Sequence, residues 1–95
     1  MDNVKPFGVV YCITNKVNGK KYIGQTRQEL RARFLQHGRY KSQYRSRLSY
    51  AIEKYGAANF TIEQIGQAQS QADLDRIERE LIAAHQTTNT KIGYN

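Results

Sequence analysis

The hydrophobic pattern along the chain predicts three short β-strands. Each is a short run rich in Val, Ile, Tyr or Phe that is bounded by Gly, Asn or charged residues. The three runs are residues 7–13, 20–24 and 60–65. Asn18-Gly19, between the first two runs, is typical of a tight hairpin turn. We therefore expect an antiparallel hairpin, and alternation places Lys20, Tyr22 and Gly24 on one face of its second strand.

Apolar residues spaced by three or four positions predict three helices. The first begins with the capping-box sequence Thr26-Arg27-Gln28-Glu29 and ends near Gly38. The second is short and has Gly56 as its C-terminal cap. Its apolar residues are Leu48, Ala51 and Ile52.

The last helix opens at Ser70, and four of its residues are expected to face the core. They are Leu74, Ile77, Leu81 and Ala84. This stripe puts Glu80 at its edge and points Glu78 away from it. The order strand, strand, helix, helix, strand, helix contains no βαβ crossover. It predicts an α+β domain, with a small three-stranded antiparallel sheet flanked by helices.

Length and charge narrow the class of protein. A chain of 95 residues allows one domain with one modest core. Its net charge of +7 predicts a polyanionic partner, nucleic acid ahead of a membrane surface, although charge alone also fits a merely basic soluble protein. The apolar runs are too short to cross a bilayer. The single Cys12 cannot form an internal disulfide, and a cytoplasmic location is expected.

Five polar residues lie on otherwise apolar elements and are candidates for chemistry. They are Tyr11, Tyr22, Arg33, His37 and Glu80. Each also has a simple structural explanation, because tyrosines favour sheets and a histidine near a helix C-terminus is favoured by the helix dipole. Glu80 alone would be explained as a surface partner of Arg76 or Arg79.

The order and spacing of these residues carry a family resemblance. Val9-Val10-Tyr11, followed after ten residues by Tyr22-Ile23-Gly24, resembles the paired motif of the GIY-YIG nuclease superfamily. The further matching blocks are Arg33-Phe34 with His37, residues 51–56, Phe60, Glu78-Arg79-Glu80 and Gly93-Tyr94-Asn95. The likeness covers residues 1–95 as a single domain and looks closest to the catalytic domains of phage and intron homing endonucleases. The first triplet departs from Gly-Ile-Tyr, although its tyrosine is kept.

The resemblance implies hydrolysis of DNA phosphodiester bonds with one divalent cation. Glu80 would be the only carboxylate ligand, which suits Mg²⁺ because this ion keeps several waters, and Mn²⁺ could substitute. Tyr11 would contact or deprotonate the attacking water with support from Tyr22. Because a free phenol has a pKa near 10, a nearby cation would be needed, and Lys20 is the candidate.

The remaining site residues have supporting roles in this hypothesis. Arg33 would neutralise charge on the phosphate, His37 would orient the water or a tyrosine, and Asn95 would fix the geometry of the site. Gly24 would be structural. The residues expected to contact DNA phosphates are Lys21, Arg39, Lys41, Arg45 and Arg47.

Two rival functions remain open at this point. One is a nuclease fold that binds nucleic acid without cutting it, and the other is a small basic protein that binds RNA or the ribosome. We expect a monomer without membrane association. Homing relatives continue into a DNA-recognition region, so we also expect targeting to require such a region or a partner. The chain would be an excised catalytic domain or a minimal protein.

Overall fold

The computed structural model describes residues 5–39 and 46–95, and within them a three-stranded sheet is packed between helices. The strands are β1 (Gly8–Asn15), β2 (Lys21–Thr26) and β3 (Phe60–Ala68), and the helices are α1 (Leu30–Arg39), α2 (Arg47–Tyr55) and α3 (Gln71–His85). A 3-10 turn (Ala57–Asn59) precedes β3. Both strand pairs are antiparallel, and the spatial order is β2-β1-β3. The predicted α+β class and element order are confirmed.

The central strand, β1, is buried on both faces. Tyr11 and Ile13 pack on the side of α2, against residues that include Leu48. Val10 packs on the opposite side, in the cluster that includes Leu74 of α3. Because helices cover both sides, β1 has a continuous apolar run instead of alternating apolar and polar residues. Tyr11 consequently has no exposed surface at all.

A bulge in β3 explains why its apolar pattern breaks. Val10 pairs with Gly66 whereas Tyr11 pairs with Gln64, so Ile65 is an extra residue on the β3 side. Ile65 packs into the cluster on the α3 side of the sheet. The strand extends beyond the predicted end at residue 65, because pairing with β1 resumes after the bulge.

The predicted start of α1 is wrong by about a turn. Thr26 remains in β2, where it pairs with Val9, and its hydroxyl accepts a hydrogen bond from the backbone N–H of Gln28 at 2.9 Å. The capping-box partner Glu29 therefore precedes the helix, which begins at Leu30. Strand pairing outweighs the local capping preference here.

The caps of the other two helices agree with the sequence. Gly56 ends α2 with φ of 88°, a backbone conformation that favours glycine, and its N–H donates to the Ile52 carbonyl. Ser70 caps α3 by accepting a hydrogen bond from the backbone N–H of Asp73.

The core-facing stripe of α3 is rotated from its predicted position. Ala84 is exposed, whereas Ile82 is partly buried and packs against the cluster that contains Leu74. Glu78 lies four residues after Leu74 and four before Ile82, so it shares the face of the helix that packs on the sheet. It is half-buried, and Glu80 is exposed. The expectation that Glu78 points away is therefore wrong.

Candidate active site

Two phenol rings and an imidazole from three different elements meet on one face of the sheet. The phenol oxygen of Tyr11 on β1 lies 2.8 Å from Nε2 of His37 on α1, and both side chains are buried. The Tyr22 ring on β2 lies edge-on to the imidazole, with 5.1 Å between ring centroids. We call Tyr11, Tyr22 and His37 the phenol–imidazole cluster. In this cluster Tyr11 and His37 form a buried hydrogen-bonded pair, and the half-buried phenol of Tyr22 lies beside them.

Gly24 leaves the space that the Tyr11 ring occupies. The two residues pair directly across β1 and β2. A Cβ at Gly24 would lie 2.4 Å from the Tyr11 phenol oxygen and 2.9 Å from a ring carbon of Tyr22. Only glycine therefore allows both rings to pack against the backbone of β2. The role predicted for Gly24 as a structural residue has a concrete steric basis.

Arg33 is the cation next to the cluster. It lies one helical turn before His37, and its guanidinium lowers the pKa of both tyrosines. Burial acts more strongly in the other direction, so the pKa of Tyr11 and that of Tyr22 are each raised above the ordinary value of 10. Both phenols are consequently protonated at neutral pH.

His37 is uncharged under the same conditions. Burial, reinforced by the neighbouring Arg33 guanidinium, lowers the pKa of His37 from 6.5 to about 4. A neutral imidazole has one lone pair, and the contact to Tyr11 engages Nε2. The backbone carbonyl of His37 accepts a hydrogen bond from the buried Ser49 hydroxyl at 2.9 Å, which joins α1 to α2 behind the cluster.

Lys20 does not lie where the sequence hypothesis needs it. It precedes β2, and its ammonium group is 5.9 Å from the centroid of the Tyr94 ring. No effect of Lys20 on the pKa of Tyr11 or Tyr22 is found, whereas Arg33 acts on both. The cation that acts on the tyrosines is therefore Arg33 of α1 and not the expected Lys20.

The carboxylate that acts electrostatically on the tyrosines belongs to Glu78 and not to Glu80. The Glu80 side chain is 63% exposed and forms an ion pair with Arg76 at 3.2 Å. The charge of Glu78, by contrast, raises the pKa of both Tyr11 and Tyr22. The structure thus brings Glu78 to the phenol–imidazole cluster and leaves Glu80, the predicted metal ligand, on the outside of α3.

The surroundings of Glu78 disfavour the charged form of its carboxylate. Burial and the nearby Asp75 raise the pKa of Glu78, and the Gln25 side chain opposes this rise. Among residues 5–39 and 46–95, no ion pair to Glu78 is formed. A half-buried carboxylate without a cationic partner is unfavourable until a positive charge binds to it.

Asn95 clamps the outer edge of β2 beside the cluster. Its side-chain amide donates to the Ile23 carbonyl and accepts from the Ile23 N–H, each at 2.7 Å. Ile23 lies between Tyr22 and Gly24, so this pair of bonds fixes the backbone that carries them. Gly93 extends the contact through a parallel bridge to Lys21.

The residues expected to bind DNA are only partly described. The ammonium group of Lys21 donates to the Thr14 hydroxyl at 2.9 Å, and the exposed Arg47 guanidinium donates to the main-chain oxygen of Asn95. Lys41, Arg45 and the side chain of Arg39 lie outside the described residues.

Comparison with known families decides the classification. Residues 7–93 match the family model of the GIY-YIG catalytic domain. The chain belongs to the GIY-YIG family. Members of the GIY-YIG family are generally endonucleases, which agrees with the resemblance seen in the sequence. No curated protein and no solved structure matches this GIY-YIG domain significantly.

GIY-YIG nucleases generally use divalent metal ions. In the described part of this GIY-YIG domain, His, Cys, Asp and Glu side chains form no group of three or more that could hold a metal. A cation bound here would therefore have at most two such side chains as ligands, and Glu78 is the carboxylate whose charge acts on both tyrosines. Hard oxygen donors of this kind suit Mg²⁺.

No helix within the described ranges is both long enough and apolar enough to span a membrane.

The sequence contained a signal for Glu78 that the predicted stripe obscured. Choosing Ile82 instead of Ala84 as the fourth core residue of α3 turns the helix so that Glu78 faces the sheet. A large β-branched residue buries more apolar surface than alanine, so Ile82 was the better choice on physical grounds.

Proposed function

We propose that this GIY-YIG domain hydrolyses phosphodiester bonds in DNA, using one divalent cation bound through Glu78. The observation that carries this proposal is the buried Tyr11–His37 contact, 2.8 Å long, which has a cation, Arg33, and a carboxylate, Glu78, close to it. A purely structural tyrosine would need neither charge. The arrangement brings a proton acceptor and opposite charges to one place, as hydrolysis of a phosphodiester requires.

Glu78 would hold the cation, and the bound positive charge would stabilise its half-buried carboxylate. When bound, Mg²⁺ or Mn²⁺ would neutralise charge on the phosphate oxygens. The raised pKa of Glu78, caused by burial, is the behaviour of a carboxylate that gains from a bound cation. Glu80 is not proposed as a ligand, because its charge is already paired with Arg76 at the surface.

Tyr11 and His37 would act together as the proton acceptor. The high pKa of Tyr11, caused mainly by burial, makes a free phenolate a poor starting point. Because Tyr11 has no exposed surface, it would not contact the attacking water itself; the Tyr11 hydroxyl and His37 Nε2 would accept and relay a proton that reaches them through the half-buried Tyr22. Tyr22 is the half-buried phenol of the cluster and would position that water.

Arg33 would stabilise the charge that develops on the phosphate. Its guanidinium acts on both tyrosines and donates to the side chain of Gln36 at 3.1 Å, which fixes its orientation. A preorganised cation of this kind needs no rearrangement during the reaction.

DNA is the proposed substrate because the chain carries a net charge of +7. Lys21 and Arg47 lie near the clamp formed by Asn95 and would contact phosphates that flank the cut. Targeting by a further region or partner, a monomeric state, a cytoplasmic location and the likeness to homing endonucleases remain predictions.

The experiment compares the same substitution at two glutamates of α3, Glu78, which faces the sheet, and Glu80, which faces solvent. Supercoiled plasmid is incubated with the wild type, Glu78→Gln or Glu80→Gln, in Mg²⁺, in Mn²⁺ and in excess EDTA. We expect nicking by the wild type and Glu80→Gln only with metal, and at least a hundredfold less by Glu78→Gln.

Two results would contradict the proposal. Loss of cutting in Glu80→Gln with retention in Glu78→Gln would return the metal to Glu80. Plasmid that is retarded on a gel but never cut at high protein concentration would favour the alternative, a nucleic-acid-binding module without catalysis.

A further inference from the structure

An open recess of about 340 Å³, lined mostly by polar side chains, includes Arg33, the cation that acts on both tyrosines of the phenol–imidazole cluster. Amide side chains dominate its lining, together with two cations. The glutamines are Gln25, Gln28, Gln36 and Gln71, and the cations are Arg27 and Arg33. No carboxylate is among the described lining residues. Arg33 belongs to both the recess and the proposed catalytic site, so a ligand in the recess would lie next to the phosphate that Arg33 is proposed to contact.

The amides on one wall are held in a chain of hydrogen bonds that starts at the catalytic arginine. Arg33 donates to Oε1 of Gln36 at 3.1 Å, and Nε2 of Gln36 donates to Oε1 of Gln28 at 3.0 Å. Each acceptor oxygen is thus engaged, and Nε2 of Gln28 has no hydrogen-bond partner in the described part of the chain. This series of hydrogen bonds leaves Nε2 of Gln28 as an oriented donor at its exposed end.

A second group of lining amides is organised in the same manner. Nε2 of Gln71 on α3 donates to Oε1 of Gln25 on β2 at 2.9 Å, which ties the helix to the edge strand. Nε2 of Gln25 donates in turn to the Asp75 carboxylate at 2.9 Å. Nε2 of Gln71 also donates to the Asp75 carboxylate, at 2.7 Å, and these bonds hold the two amides in fixed positions.

A cation without an acidic partner lies at the rim. The Arg27 guanidinium stacks over the Phe7 ring, 4.2 Å from its centroid, and this contact fixes its position. None of the carboxylates in residues 5–39 and 46–95 forms an ion pair with Arg27. Its charge is therefore open to an anion, and the catalytic Arg33 supplies a second cation to the same recess.

We propose that this recess is a subsite for one nucleotide of the DNA strand, adjoining the phosphate that is cut. This inference rests on the proposed nuclease function and specifies how the strand lies. A volume of about 340 Å³ is near the lower limit of roughly 300 Å³ for ligand pockets, which suits one nucleotide and not a length of duplex.

The chemistry of the lining matches the parts of a nucleotide. Arginines bind phosphate oxygens, and Arg27 and Arg33 would contact two successive phosphates. Amide side chains hydrogen-bond to sugars and to base edges, and Gln28 has the free donor for such a contact. Gln28 is thus assigned to substrate positioning without taking part in proton transfer.

Binding, measured separately from cutting, tests this assignment. Gln28→Ala and Gln28→Glu are compared with Gln67→Ala and Gln67→Glu. Gln67 is an exposed glutamine on β3, the opposite edge of the sheet, and the paired variants have equal net charge. Affinity for a fluorescent single-stranded oligonucleotide is measured by anisotropy in EDTA, and the fold of each variant is checked by circular dichroism.

We expect Gln28→Ala to weaken binding about three- to tenfold, as the loss of one hydrogen bond would. Gln28→Glu should weaken it further, because its carboxylate would repel the phosphates, and both Gln67 variants should bind nearly as the wild type does. Equal effects at Gln28 and Gln67 would overturn the subsite even if the wild type cuts plasmid. The expected pattern without any cutting would support the subsite and reject the nuclease function.

Discussion

Gly24 and Tyr11 face each other across β1 and β2, and the phenol of Tyr11 lies in the space where a Cβ of residue 24 would be. The Tyr11 oxygen is 2.4 Å from that position. This packing lays the phenol against the strand backbone, where its oxygen reaches Nε2 of His37. Gly24 thus fixes the position of Tyr11 through shape alone.

Substitution of Gly24 should disturb the site more than its small size suggests. We expect Gly24→Ala to displace the Tyr11 ring, to lower the free energy of unfolding by about 1–3 kcal/mol and to lower cutting strongly. Urea unfolding and plasmid nicking measure the two effects.

Gly38→Ala is the matched control, because a Cβ there would make only an ordinary 3.7 Å contact with Ile52. This variant should be neutral or slightly more stable, since alanine favours helices. A fully active Gly24→Ala protein of normal stability would show that the Tyr11 ring is not constrained as the structure indicates.

The stability of the protein should fall on acidification because of His37. In the folded protein the pKa of His37 is lowered to about 4 by burial and by Arg33, against 6.5 ordinarily. The unfolded chain therefore binds more protons between these values, and the free energy of unfolding falls as the pH drops from about 6.5 to about 4. The full contribution is on the order of 3 kcal/mol.

Chemical denaturation of the wild type and His37→Gln at pH 7.5 and 4.5 checks this dependence. Both proteins share all other titrating groups, so the difference in their free energies of unfolding reports the effect of His37 alone. We expect the difference in stability between the two proteins to shift in favour of the variant at the lower pH. A constant difference would mean that His37 titrates near its ordinary value.

Arg33 should matter for turnover and its neighbour Arg31 should not. Both are arginines on α1, but Arg33 is half-buried beside the tyrosines and Arg31 is exposed. We expect Arg33→Ala to lower the rate of cutting about a hundredfold or more, since it removes a preorganised charge at the phosphate. Single-turnover nicking assays with saturating protein would separate this loss from weaker binding.

The same assay on Arg31→Ala gives the reference, because that variant loses an equal charge. Its rate should stay within a few-fold of the wild type, in line with a general contribution of charge to DNA binding. Similar losses in both variants would assign Arg33 to general DNA binding and remove it from the chemistry.

The sequence by itself determined the element types, the antiparallel hairpin, the caps at Gly56 and Ser70 and the family. These follow from local causes, namely side-chain periodicity, turn chemistry and helix capping, together with a motif whose order can be read along the chain. The proximity of Tyr11 and Tyr22 could also be predicted from the sequence, because hairpin pairing sets which residues are neighbours across two strands.

Only the tertiary structure decided which charges face that cluster. The rotation of α3 about its axis depends on how Leu74 and Ile82 pack on the sheet, and that rotation brings Glu78 to the tyrosines and leaves Glu80 in solvent. The packing of α1 likewise puts Arg33 beside the phenols, where Lys20 had been expected. A spacing pattern limits a helix to a range of orientations, and the choice within that range is made by the surface that it buries.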